Sequence, residues 1–115
     1  MATMNEVVAY VDQLKPNIYT DEVKYRWMDT LDGLIAREVL NEEAPARNLP
    51  EDADLPLLVE APFDDMYGLY VAAMIDFYNR EYDHYNNSVM LFNERLEQFK
   101  GWYVRTHENC KPRNF

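Results

Sequence analysis

The chain has 115 residues, 48% of them apolar, and a net charge of -10 from 21 acidic and 11 basic residues, which describes one domain with one modest core. No apolar run approaches the roughly 18 residues that span a bilayer, and an acidic surface repels the phosphate backbone, which argues against conventional readout of DNA or RNA. Three glycines argue against an all-β chain rich in tight hairpins, and the single Cys110 excludes an internal disulfide or a Cys-based zinc site.

The N-terminus, MATMNEVV, has no signal-peptide apolar region, so the expected setting is a reducing cytoplasm or particles assembled there. Thr3 followed by Glu6 is a capping-box pattern and predicts a first helix over Met4–Leu14. Val7, Val8, Val11 and Leu14 form its apolar face, and Pro16 follows its end. Thr20 caps a second helix whose positive first turn holds Asp21 and Glu22. Val23, Trp27, Leu31, Leu34 and Ile35 follow helical spacing and carry that helix to about Asn41. Pro45, Pro50 and Pro56 exclude a regular helix from 42–61, which reads as a long acidic loop with a short extended piece at Leu57–Val59. Residues 38–60 hold seven acids against Arg47 alone, whereas 100–115 hold Lys100, Arg105, Lys111 and Arg113 against Glu108. Such opposed charge is either two solvated surfaces or a means of registering one copy against another.

Pro62, Asp64 and Asp65 mark a third helix start, and Met66–Tyr78 follows with Asp76 as its one charge. A helix that is apolar nearly all round must be covered on most sides, by its own chain or by a neighbouring subunit. Gly68 and Ala72 lie four apart on one face, where a second helix can come close. The candidate subunit interface is Met66, Leu69, Ala73, Asp76, Phe77 and Arg80. An unpaired carboxylate in such a helix is costly, so Asp76 needs a donor, with Arg80 or Arg105 as candidates. The polar run NREYDHYNN then predicts a break at Asn86–Asn87. The last helix is placed at Val89–Thr106, with Val89, Phe92, Leu96, Phe99 and Tyr103 as its stripe. The expected fold is all-α, a small bundle of about four helices forming one domain over 1–106, with an extended tail over 107–115.

The chemistry-bearing residues do not assemble into a catalytic motif. Glu81 and His84 match the Glu-x-x-His spacing of di-iron bundles, but the second such pair is missing. Asp76, His84 and Ser88 lack a nucleophile turn, and there is no Walker loop, Gly-rich dinucleotide turn or His-Glu-x-x-His. The expectation is a non-enzymatic interaction protein without cofactor or metal. Two other readings remain at this level: an acidic DNA mimic that binds a host nucleic-acid-binding protein, motivated by the charge of -10, and, more weakly, a ferritin-like metal enzyme.

About half of the chain carries a more specific pattern. It opens with Leu-Leu-x-x-x-Pro-aromatic-Asp-x-x-Tyr from Leu57 to Tyr67 and continues with Ile-Asp-x-x-x-x-Glu-x-x-x-Tyr-Asn-Asn from Ile75 to Asn87. Phe92-Asn93 and Trp-Tyr-x-Arg-Thr-His from Trp102 to His107 complete it. This pattern resembles a family of tailed-phage and prophage head-to-tail connector (adaptor) proteins. The resemblance implies a helical subunit of a homo-oligomeric ring, twelve-fold in such families, located in the virion neck beneath the portal. It further implies a portal protein and a tail-side neck or tail completion protein as partners, DNA passing through without specific binding, and no membrane association. The segment Cys110, Lys111, Pro112, Arg113, Asn114 and Phe115 would then be the portal-binding tail.

Overall fold

The computed structural model describes residues 2–108 of the chain, which form four helices and no strand. Helix α1 is Met4–Leu14, α2 is Asp21–Glu38, α3 is Met66–Tyr78 and α4 is Tyr82–Glu108, with one 3-10 turn at Phe63–Asp65 leading into α3. The all-α architecture and the number of helices follow the sequence expectation. The tail residues Cys110 to Phe115 lie outside the described residues, and α4 extends to Glu108, two residues past the expected domain edge.

The two N-terminal caps form as their sequence predicts. The Thr3 hydroxyl accepts from the Glu6 amide at 3.2 Å, and the Thr20 hydroxyl accepts from the Val23 amide at 3.4 Å. Helix α1 buries Met4, Val7, Val8 and Val11, but Leu14 stands two-thirds exposed. Helix α2 ends at Glu38 rather than near Asn41, and its buried face is rotated from the apolar stripe. Val23 and Leu34 face solvent, while Lys24, Tyr25, Met28, Leu31, Asp32, Ile35 and Ala36 face the core. A pattern that scores Lys and Asp as surface cannot find a face on which both are buried with partners.

Helix α3 is the centre of the molecule, flanked by α1, α2 and α4. It runs alongside α1 in the same direction, with Ala2 and Glu6 beside Asp64 and Asp65 at one end and Lys15 beside Asp76 at the other. Helix α4 returns antiparallel along it, bringing Ser88 to Asp76, Phe92 to Tyr70, Arg95 to Asp65 and Phe99 to Phe63. Most of the apolar surface of α3 is therefore covered by its own chain.

The break before α4 falls at Asn79–Glu81, not at Asn86–Asn87. Arg80 takes a left-handed conformation, φ 61°, so that the Arg80 amide donates to Phe77 and the Glu81 amide to Asp76. That pair of bonds is the Schellman termination, usually built on glycine. Asn86 and Asn87 instead sit on the exposed surface of one continuous helix of 27 residues, about 40 Å long. The predicted α4 stripe holds, with Phe92 and Phe99 buried and Leu96 and Tyr103 packed against the core.

Residues 42–61 contain no regular helix, as their prolines require. They are nonetheless part of the core: Ala53, Leu57 and Val59 are buried, while Glu42, Glu43, Glu51, Asp54 and Glu60 face water. No strand forms at the expected extended piece, Leu57–Val59; a single antiparallel bridge lies just before it, between Thr3 and Pro56, beside the Leu57 amide donating to Ala2 at 2.9 Å.

Candidate functional site

Three ion pairs, each with at least one buried member, tie the elements of the bundle together. In the first, Asp32 on α2 and Tyr67 on α3 are both fully buried. The Tyr67 hydroxyl donates to Asp32 Oδ1 at 2.5 Å and accepts from the Val59 amide at 2.8 Å. The other carboxylate oxygen of Asp32 accepts from Arg47 at 2.9 Å and from the Leu58 amide at 3.2 Å. Arg47 also donates to Asp29 and to the carbonyl of Pro56. Burial pushes the Asp32 carboxyl above its ordinary value, opposed by the Tyr67 hydroxyl, the Leu58 amide and the Arg47 charge. Burial, reinforced by the Asp32 charge, pushes the Tyr67 phenol far above its own. The Tyr67 hydroxyl and both Asp32 oxygens are partnered, and the cluster clamps the proline-containing segment onto α2 and α3.

In the second pair, Asp76 is fully buried and accepts from Lys15 Nζ at 2.7 Å and from the Ser88 hydroxyl at 3.3 Å. The donors expected from the sequence were Arg80 and Arg105. Arg80 is turned away by its left-handed backbone at the end of α3, and α4 runs so that Ser88, not Arg105, comes level with Asp76. In the third pair, Lys24 is 2% exposed and lies 2.6 Å from Asp12. Burial works to raise the Asp12 carboxyl, but the hydrogen bonds from Lys24 and Asn17 and the Lys24 charge prevail and hold it below its ordinary value.

Among the described residues no group of three His, Cys, Asp or Glu side chains is placed to hold a metal ion. Glu81 and His84 are exposed at the start of α4, and Ser88 reaches Asp76 without His84.

Beside its charged faces the chain exposes several apolar patches. Phe77, Tyr78 and Tyr82 are each about half exposed at the α3–α4 corner, where Tyr78 stacks on Trp27 with ring centroids 5.7 Å apart and planes inclined by 7°. Tyr19 packs on both rings, and its hydroxyl donates to Asn79 at 2.8 Å, which fixes the corner to the start of α2. At the other end of α4, Trp102 and Val104 are exposed, with Trp102 packed beside Phe63 and Phe99. Between α1 and α3 lies a groove of about 490 Å³. Its floor is Gly68 and Ala72, its walls are Tyr10, Leu14 and Leu69, and Glu6, Asp64 and Asp65 stand at one end. A methyl group at Gly68 would meet Val11 at 3.8 Å, an ordinary contact, so the neighbouring α1 does not itself require glycine there.

The six candidate interface residues separate into two groups. Met66, Ala73 and Asp76 are buried inside the chain and present no surface to a partner. Leu69 is half-buried on the groove wall, and Phe77 and Arg80 are exposed at the corner. Spacing places Leu14 on the core face of α1 and gives Tyr10 no role, yet both are exposed on the groove. No helix is long and apolar enough to cross a membrane among the described residues. Compared with protein-family models, with characterised proteins and with solved structures, the chain matches none.

Proposed function

We propose that this chain is a structural subunit that assembles head to tail, and that its assembly is the connector ring of a tailed-phage neck, between portal and tail. The observation that carries the head-to-tail reading is the placement of exposed aromatic side chains at the two ends of α4. Phe77, Tyr78 and Tyr82 gather at one end and Trp102 stands at the other, with Met90 and Leu91 as exposed aliphatic residues between them. The 20 residues from Tyr82 to Trp102 separate them by about 30 Å. Two unlike contact surfaces at opposite ends of one subunit give heterologous contacts, and those close into rings when the rotation between copies permits. Isolated exposed apolar residues would need no partner, but aromatic groups of this size on a chain with a net charge of -10 favour burial against another molecule.

The phage assignment rests on the resemblance carried by Leu57–Tyr67, Ile75–Asn87 and Trp102–His107. The structure gives several of those residues structural work: Tyr67 in the clamp, Asp76 in its ion pair, Tyr85 against Phe77, and Trp102 on Phe63. The exposed acids of residues 42–61 suit a ring that DNA crosses without being held, since like charge keeps the backbone mobile. Electron microscopy of virions whose genome encodes this chain tests the reading directly. Density for the four-helix subunit at the portal–tail junction is the expected result, and a neck fully accounted for by other proteins overturns it.

A further inference from the structure

The exposed aromatic groups at the two ends of α4 differ in charge as well as in place. At the α3–α4 corner, Phe77, Tyr78 and Tyr82 stand beside Glu81 and Asp83, which are exposed and have no ion-pair partner among the described residues. Arg80 is the one cation of that corner. Beside Trp102, Arg105 is exposed and likewise has no ion-pair partner among the described residues, while Lys100 is engaged by Glu97 at 3.5 Å. The Arg105 guanidinium lies back over Gly101, where an added methyl group would meet it at 3.3 Å, so it stays within one helical turn of Trp102. At about 100° per residue, Tyr82 falls about 80° to one side of the core-facing line through Phe92 and Phe99, and Trp102 about 80° to the other. The two groups therefore sit at opposite ends and on opposite flanks of α4.

We infer that the aromatic corner of one copy docks against the Trp102 flank of a second copy, with Glu81 and Asp83 facing Arg105. This inference rests on the head-to-tail reading and names the surfaces and the charges that make the contact. A second copy fits because the chain carries both halves. Each half has aromatic rings, which bury a large area at little conformational cost. Their rims carry unpaired charge of opposite sign, which sets register and penalises wrong pairings. Corner against corner sets a rim of two acids and one cation against its like, and flank against flank opposes Arg105 with itself. Charge therefore selects the unlike contact over the two isologous ones. Within one chain the two halves cannot meet, because they lie about 30 Å apart on one continuous helix. Their placement on opposite flanks passes the contact on from copy to copy, as a closed ring requires.

Charge reversal in the full-length chain tests the contact, with self-association read by analytical ultracentrifugation over a range of concentrations. The wild-type chain is expected to associate, and high salt to weaken the association. Arg105→Glu sets three acids together, and Glu81→Lys with Asp83→Lys sets three cations together. Each reversal should raise the Kd of self-association roughly tenfold or more. An equimolar mixture of the two variants should associate as the wild type does, since each then meets a complementary partner. Glu81→Gln with Asp83→Asn, added to Arg105→Glu, should recover part of the loss without placing a cation at the start of α4, where it would oppose the helix dipole. Circular dichroism reports that each variant keeps its helices. A wild-type chain that stays monomeric at all concentrations, association insensitive to either reversal, sensitivity to the corner reversal alone, or a mixture that stays dissociated each overturns the inference. Density at the portal–tail junction for a chain that is monomeric in solution upholds the ring reading alone. A virion neck that lacks the protein defeats that reading while leaving the charge rescue intact.

Discussion

The Tyr67 hydroxyl donates to Asp32 Oδ1 at 2.5 Å and accepts from the amide of Val59 at 2.8 Å, so one phenol joins α2, α3 and the proline-containing segment. Arg47, the one cation of that segment, closes the opposite side of the same carboxylate. A stretch of chain that composition marks as an exposed acidic loop is thereby made part of the core, with Leu57 and Val59 buried beneath it.

Removing the phenol oxygen with Tyr67→Phe leaves the Val59 amide and one Asp32 oxygen without that partner in a fully buried place. The expected loss is about 2–4 kcal/mol, since each buried group left unsatisfied costs roughly 1–3 kcal/mol and the site can relax in part. Thermal and urea unfolding of the variant measure it.

Arg47→Met should be more damaging than its position among solvated acids suggests. It strands the buried Asp32 carboxylate beside one hydroxyl and one amide, and breaking a buried pair in this way costs about 3–5 kcal/mol. Adding Asp32→Asn should recover part of the loss, because a neutral amide needs no cation. A double-mutant cycle gives the coupling, and additive losses would show that Arg47 acts through packing alone.

The same cluster sets a dependence on alkaline pH. In the unfolded chain Tyr67 ionises near 10.0, whereas in the fold burial, and then the Asp32 charge, hold its proton well above that value. Above pH 10 the folded state keeps a proton that the unfolded state releases, so this contribution to stability is complete below 10 and declines as pH rises. Each such group contributes a slope of up to about 1.4 kcal/mol per pH unit. Tyr25 and Tyr70 are also raised, chiefly by burial, so Tyr67→Phe should flatten the alkaline limb without abolishing it. Urea titrations between neutral and alkaline pH check the sign.

The Asp76 pair should respond asymmetrically. Lys15 is 28% exposed and can turn to water, while Asp76 is 0% exposed and cannot. Lys15→Ala, which leaves the carboxylate buried without its cation, is expected to cost about 3–5 kcal/mol. Asp76→Ala removes the buried charge and should cost less, about 1–3 kcal/mol. Equal losses would show that water reaches Asp76 when Lys15 is removed.

Arg80→Gly should stabilise the chain. A non-glycine residue in the left-handed region is disfavoured by roughly 1–2 kcal/mol, partly offset by the about 0.5–1 kcal/mol of backbone freedom that glycine gives up. A net gain near 1 kcal/mol, seen as a rise in Tm of a few degrees, is the expected outcome. A fall in Tm would mean that the Arg80 side chain itself holds the α3–α4 corner together.

The order of the helices was legible in local chemistry. Thr3 and Thr20 cap through hydroxyls within three residues of their targets, prolines keep 42–61 out of a helix, and the stripe from Val89 to Tyr103 repeats with the helical period. Such features depend on neighbours a turn away, so they can be read without the fold. The position of the α3–α4 break was not legible, because Arg80 adopts a conformation for which its residue type gives no signal. The partner of Asp76 was equally hidden, since Lys15 lies 61 residues away along the chain.

The helix that first suggested a subunit interface shows the same division. Sequence alone determined that Met66–Tyr78 must be covered, because its one charge leaves it no solvated face. Only the tertiary structure decided what covers it. Helices α1, α2 and α4 bury Met66, Ala73 and Asp76 within the chain and leave Leu69 and Phe77 at its margins. Periodicity measures how much apolar surface a segment must hide, whereas the identity of the covering atoms is set by contacts between residues distant in sequence.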